Sequence, residues 1–182
     1  MNRHTLSALV ENKFGVLARV AGMLSGRGFN IETLNVAPTF TAGLSRITAT
    51  VVADAAALDR CVRALGKLVN VISVQDFNQV DFVSRELVVV KVRSSKQTRS
   101  ELIEIAGLFQ AKIIDVTPES LIIEFTGNET KSNAFLRLVK NYGILELART
   151  GKVALARGEN PTENALVDAA PAPDCPEKQE ED

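Results

Sequence analysis

The chain has 182 residues, 46% of them apolar, which allows one medium domain or two small ones; with eight Phe, one Tyr and no Trp, its cores must rest on Val, Ile, Leu and Ala. No apolar run approaches the roughly 20 residues of a membrane span, no basic-then-apolar leader opens the chain, and two cysteines, Cys61 and Cys175, make neither a disulfide framework nor a metal cluster. The expectation is a soluble cytoplasmic protein whose net charge of −1 divides unevenly: residues 159–182 hold eight acids and one Lys, leaving 20 basic and 14 acidic side chains on the body.

A first strand is predicted over 4–10, followed by the loop "ENKFG" and a helix whose apolar stripe is Leu17, Val20, Ala21 and Leu24. Strands follow at 30–37 and 45–53, separated by the turn-rich "PTFTAG". Asp54 is placed to cap a second helix with the stripe Leu58, Cys61, Val62, Leu65, which makes Cys61 a small core residue. A strand at 69–76 closes the unit, and "FNQVDFVSR" at 77–85 marks the boundary.

The same order then repeats. Strands are predicted at 86–93, 111–116, 120–126 and 144–157, the last broken near Gly151. Helical stripes lie at Leu102, Ile105, Ala106, Phe109 and at Phe135, Leu138, Val139, Tyr142, with Gly143 as a C-cap. The fold class is therefore α+β: two tandem ferredoxin-like βαββαβ units, 1–78 and 79–158, and an acidic, Pro-containing tail over 159–182 that is too polar to order. Helices on one face of each sheet leave the other face bare, which points to dimerisation or partner docking.

Fold alone does not give function. A metal-carrying version of this fold would want paired cysteines in the first loop. An acylphosphatase-like enzyme would want an arginine there, and none lies between Arg3 and Arg19. Nucleic-acid recognition would want exposed aromatics on the central strands, which offer only Phe125. The single histidine, His4, reads as structural, and no nucleophile–base arrangement is visible. The chain is not expected to be an enzyme, nor to bind metal, nucleic acid or membrane.

The first loop has its own chemistry. Gly15 permits close backbone approach, and the amides of Gly15, Val16 and Leu17 at a helix start favour an anion such as a carboxylate. Asn12 adds an amide beside them, and Asn30, at the entry of the second strand, could accept from an ammonium group. Together these describe a site for a free amino acid. The alternative is that Asn12 caps the helix and Asn30 satisfies a turn.

The stretches "LVENKFGVLARVAGMLSGRGFNIETLNVAPT", "LSRIT", "IIDVTPESLIIEFTG" and "TGKVALARG", spread over residues 4–158, resemble the regulatory (small) subunits of acetohydroxyacid synthase, also called acetolactate synthase; the first half resembles an ACT domain. The resemblance implies a catalytic large subunit that carries thiamine diphosphate, magnesium and FAD, with no cofactor in this chain. It implies activation of that subunit, feedback inhibition by a branched-chain amino acid (valine first), and a homodimer through the ACT domains. Family positions for the effector carry over as Asn12, Gly15, Val16, Leu17, Asn30 and Ile31, with Ala37 at a position where bulk disturbs feedback. In the second unit "RSSKQTR" lacks the Asn and Gly of the first mouth, so that unit is expected to support dimerisation or the catalytic subunit. A stand-alone amino-acid sensor and a small acylphosphatase-like enzyme are the competing readings.

Overall fold

The computed structural model describes residues 2–159, the side chain of Gln79 excepted; from residue 160 on, the stretch read above as a disordered tail lies outside the described residues. The first unit is built from β1 (Asn2–Glu11), α1 (Val16–Gly26), β2 (Asn30–Pro38), β3 (Leu44–Ala53), α2 (Ala55–Leu65) and β4 (Val71–Asp76), with strand order β2-β3-β1-β4. The second is built from β5 (Phe82–Arg93), α3 (Arg99–Leu108), β6 (Lys112–Val116), β7 (Ser120–Gly127), α4 (Glu129–Val139) and β8 (Ile144–Arg149) in the order β6-β7-β5-β8; a further strand, β9 (Val153–Ala156), pairs with β5. Both units are the βαββαβ arrangement read from the sequence.

Strand alternation and helical stripes meet in one core per unit. In the first, Leu6, Ala8 and Val10 of β1 and Ile47, Ala49 and Val51 of β3 face Val16, Val20 and Leu24 of α1 and Leu58, Cys61 and Leu65 of α2. Cys61 is fully buried, and that burial, opposed by nearby Arg27, pushes its thiol up to about 11, so it packs as a small apolar residue. In the second, Val88, Val90 and Val92 of β5 and Leu121, Ile123 and Phe125 of β7 meet Leu102, Ala106, Phe135 and Val139. Three rings knit this core: Phe135 lies 5.2 Å from Phe125 and 5.5 Å from Phe109, centroid to centroid. Phe125 is thus a core ring.

Caps and ends follow local chemistry. The Asp54 carboxylate accepts from the Ala57 amide at 2.7 Å, as its position predicts. Asn128 caps α4 in the same way, accepting from Lys131 at 2.9 Å, and the helix begins six residues before the Phe135 stripe. Gly143, expected to close α4 directly, instead ends a short 3-10 turn, Lys140–Tyr142, that continues it. β5 starts at Phe82 rather than 86 because residues 82–85 pair with β9, which a break around Gly151 separates from β8.

That extra pairing changes the expectation of a bare sheet face. Thr5, Ser7, Leu9, Thr48 and Thr50 point away from the helices of the first unit, yet all five are buried. Phe77, buried in the turn after β4, packs against Phe82 of β5 with ring centroids 5.0 Å apart, while Gly151 abuts Thr33 and the Asn35 amide donates to the Thr150 carbonyl at 3.4 Å. The chain covers part of this face with its own β5–β9 ribbon. A row of small Thr and Ser side chains allows the close approach.

An ion cluster completes the junction between the units. Arg3 of β1 pairs with Glu32 of β2 and with Glu129 at the start of α4, and Lys152 closes on Glu129 at 2.6 Å. Burial alone would raise the Glu129 carboxyl, but Lys152 and Arg3 outweigh it and hold the group below its ordinary value. A depressed carboxylate contributes stability that is complete above its unfolded pKa and is lost as pH falls through the folded value. Wild type is therefore expected to lose its melting-temperature advantage over Glu129→Gln between about pH 5 and pH 3. A constant difference across that range, in thermal melts at stepped pH, would contradict this.

Candidate functional site: the β1–α1 mouth and the β2 edge

β1 runs out at Glu11, and the chain turns through Asn12–Phe14 into α1. Gly15 sits at φ +80°, a left-handed conformation that favours glycine, and an added Cβ there would meet open space. No side chain caps α1, and its first turn holds no acid, so the positive end of the helix dipole is uncompensated. The Val16 amide donates to Lys13 O at 3.3 Å, a correction to the expectation that it is free, and the Val16 side chain is core. Among the described residues the amides of Gly15 and Leu17 find no such acceptor. Glu11, the nearest carboxylate, is occupied: Asn70 and then Lys13 bond it and hold its pKa down.

Neither asparagine takes the bland role. Asn12 does not cap the helix, and no side-chain partner of Asn12 or Asn30 is found among the described residues. The main chain places them far apart, however. β1 and β2 both run antiparallel to β3 and hence parallel to each other, so Asn30, opposite Val52, lies on the same rung as Arg3. Asn12 lies beyond the other end, its amide on Gly43 O at 2.7 Å. β2 spans the distance between them, about 26 Å at roughly 3.3 Å per residue. One copy does not bring the mouth and Asn30 together.

Ile31 is half-buried beside Asn30, on the helix side of β2. Ala37 is near the mouth end but points with Arg46 to the opposite face, where it lines a cavity of about 640 Å³ with Phe40, Val83 and Leu155. It therefore borders a different space from Gly15. Apolar groups flank the mouth and edge: Phe14 is fully exposed and Val36 more than 40% exposed, and Leu17, expected on the core stripe of α1, is 43% exposed because Val16 takes the core position. β2 is an outer strand with one side unpaired among the described residues.

Among the described residues no three His, Cys, Asp or Glu side chains gather to hold a metal ion, and no helix is long and apolar enough to cross a membrane. His4 is buried, its Nε2 3.2 Å from the Ala53 carbonyl. Among the described residues the mouth and edge present two amides without acceptors, an uncompensated helix start, two carboxamides without side-chain partners and an aliphatic border.

Comparison with known proteins gives the family. Residues 6–73 match a family described as an AHAS small subunit-like ACT domain, which places the chain in the ACT class. Residues 85–158 match the family described as small subunit of acetolactate synthase. A relative from Mycobacterium bovis named acetolactate synthase small subunit is 48% identical over 155 residues, covering 85% of this chain and 92% of the relative. One of the same name from Aquifex aeolicus is 41% identical over 158 residues, covering 86% and 82%. The crystal structure of the acetolactate synthase small subunit from Thermotoga maritima superposes with a TM-score of 0.81 at 36% identity, covering 88% of this chain and all of that one. The chain belongs to the acetolactate synthase small-subunit family.

Proposed function

We propose that this chain is a non-catalytic regulatory subunit. It raises the activity of a catalytic large subunit of acetolactate synthase and confers feedback inhibition by a branched-chain amino acid, valine first. The thiamine diphosphate, magnesium and FAD of the reaction belong to that partner, and the complex works in the cytoplasm. The observation that carries the reading is the separation of the mouth from Asn30 along an unpaired edge strand. A second copy set antiparallel along β2 would bring its Asn30 and Ile31 toward the first copy's Asn12, Gly15 and Leu17, and would cover Leu17 and Val36. The effector carboxylate then meets the Gly15 and Leu17 amides and the helix dipole, and its ammonium group meets the Asn30 carbonyl oxygen. Its aliphatic side chain lies along Ile31 and Leu17. Ala37, on the other face, acts on the position of β2.

Inhibition follows as a population shift. The dimer holds an activating and a less activating arrangement, and valine binds the second more tightly. Its leverage equals that difference in affinity, about 1.4 kcal/mol per tenfold. Gly15→Asp sets a carboxylate against the effector's own, and Asn30→Ala removes the ammonium acceptor. Each is expected to weaken valine at least about tenfold while activation survives, whereas Gly15→Ala, with the same backbone demand and no charge, is expected to weaken it less. The check is acetolactate formation by the large subunit, with and without each variant, across a valine titration. Unchanged valine sensitivity in Gly15→Asp and Asn30→Ala would remove the site assignment. Valine binding without any effect on acetolactate formation would mark a stand-alone sensor instead.

A further inference from the structure

The strand that carries Asn30 and Ile31 is also the strand that touches the second unit. Glu32 follows directly, at a bulge where the β2–β3 register shifts between Ile31 and Thr33. Its carboxylate is held by Arg3, whose guanidinium also reaches Glu129 at the first residue of α4, and Lys152 completes the cluster. One residue further on, Thr33 lies so close to Gly151 that an added Cβ would stand 3.1 Å from it, and Asn35 bonds Thr150. The effector strand thus meets the β8–β9 connection at successive points.

The space around these contacts is a polar cleft of about 500 Å³, lined by Arg3, Glu32, Thr33, Thr50, Glu129 and Lys152 among others. Among the described residues the Thr33 and Thr50 hydroxyls are buried in it without partners. Polar, incompletely filled contacts resist relative movement less than interdigitated apolar ones, and the ion cluster is the charged tie across this cleft. Glu129 and Lys152 are the less exposed members, at 24% and 17% of their side-chain surface, which makes the cluster less screened than a fully exposed pair.

We propose that Arg3 is a positioning residue that couples effector occupancy to the second unit, by tying the β2 bulge through Glu32 to the α4 start through Glu129. Movement of β2 on binding is carried to α4 and to the β8–β9 connection, without Arg3 touching the effector. This rests on the effector reading above. The two fail distinguishably, because binding and its transmission are measured separately.

The experiment uses the full chain and valine as the probe. Calorimetry gives the affinity, and amide hydrogen exchange over residues 146–156 gives the transmitted response, in wild type, Arg3→Gln, Glu129→Gln and the double variant. Valine is expected to alter exchange in this segment of wild type by at least about threefold. Both single variants are expected to bind valine within about threefold of wild type and to lose that response, the double variant losing no more than either. A merely stabilising salt bridge would not separate binding from response in this way. The proposal is overturned if Arg3→Gln keeps the response, or if wild type binds valine with no change at 146–156. It is equally overturned if Arg3→Gln loses binding itself, which would place Arg3 in the site. If wild type binds no valine, the effector reading falls and this coupling falls with it.

Discussion

Phe135→Ala is expected to destabilise the second unit by about 3–5 kcal/mol, a large share of the roughly 5–15 kcal/mol available to a domain. Phe135 is fully buried on the inner face of α4, and its ring is the common neighbour of Phe109 and Phe125. Truncation removes both ring contacts and opens a cavity that strands β5 and β7, locked in register from Glu86↔Gly127 to Arg93↔Ser120, are poorly placed to close. Tyr142 is the only tyrosine and packs against this core, so its fluorescence in a urea titration reports the second unit. The transition midpoint should fall with its slope unchanged. A loss below about 1 kcal/mol would mean that Phe109 and Phe125 collapse into the space.

Arg149→Ala is expected to cost about 3 kcal/mol by leaving a buried carboxylate without its partner. The Glu86 side chain is 2% exposed, and Arg149 meets it with two nitrogens, Nη2 at 2.6 and 2.8 Å from the two oxygens and Nε at 3.2 Å from one. The pair joins the first residues of the β5–β7 ladder to the end of β8, just before the chain turns into the β9 ribbon. The estimate sits at the low end of the range for a broken buried pair because Arg149 is itself 34% exposed, so water can reach the vacated side. Replacing both residues together, Glu86→Leu with Arg149→Met, should recover most of the loss, since no unpaired charge then remains. A double variant no more stable than Arg149→Ala would mean that the pair's geometry, and not its desolvation, decides the cost.

Much of this was legible in residues close together in the chain. The stripe Leu58–Leu65, the Asp54 cap and the turns between paired strands each depend on neighbours within a few positions and appear in the structure, as does the α1 stripe through Val20 and Leu24, which begins at Val16 and not at Leu17. The α4 start was less visible, because Asn128 caps a first turn that carries no apolar residue of the stripe. The covered sheet face was invisible, because Thr5, Ser7, Thr48 and Thr50 read as a polar, solvent-facing row, yet all four are buried. Only the position of the β5–β9 ribbon shows that this row is covered.

The candidate site divides in the same way. The helix start at Gly15, with its positive φ and missing cap, is a local property of "ENKFGV". Its distance from Asn30 is a property of topology, fixed by β3 pairing with both β1 and β2. By itself the sequence determined the class of fold, most of the two cores and the uncapped helix start at the mouth, because hydrophobic period and helix-end chemistry act over one or two turns. Only the tertiary structure decided that one copy holds two separated halves of that chemistry, that Ala37 faces another cavity, and that Arg3 stands between Glu32 and Glu129. Those relations join residues up to 126 positions apart, and no local periodicity records them.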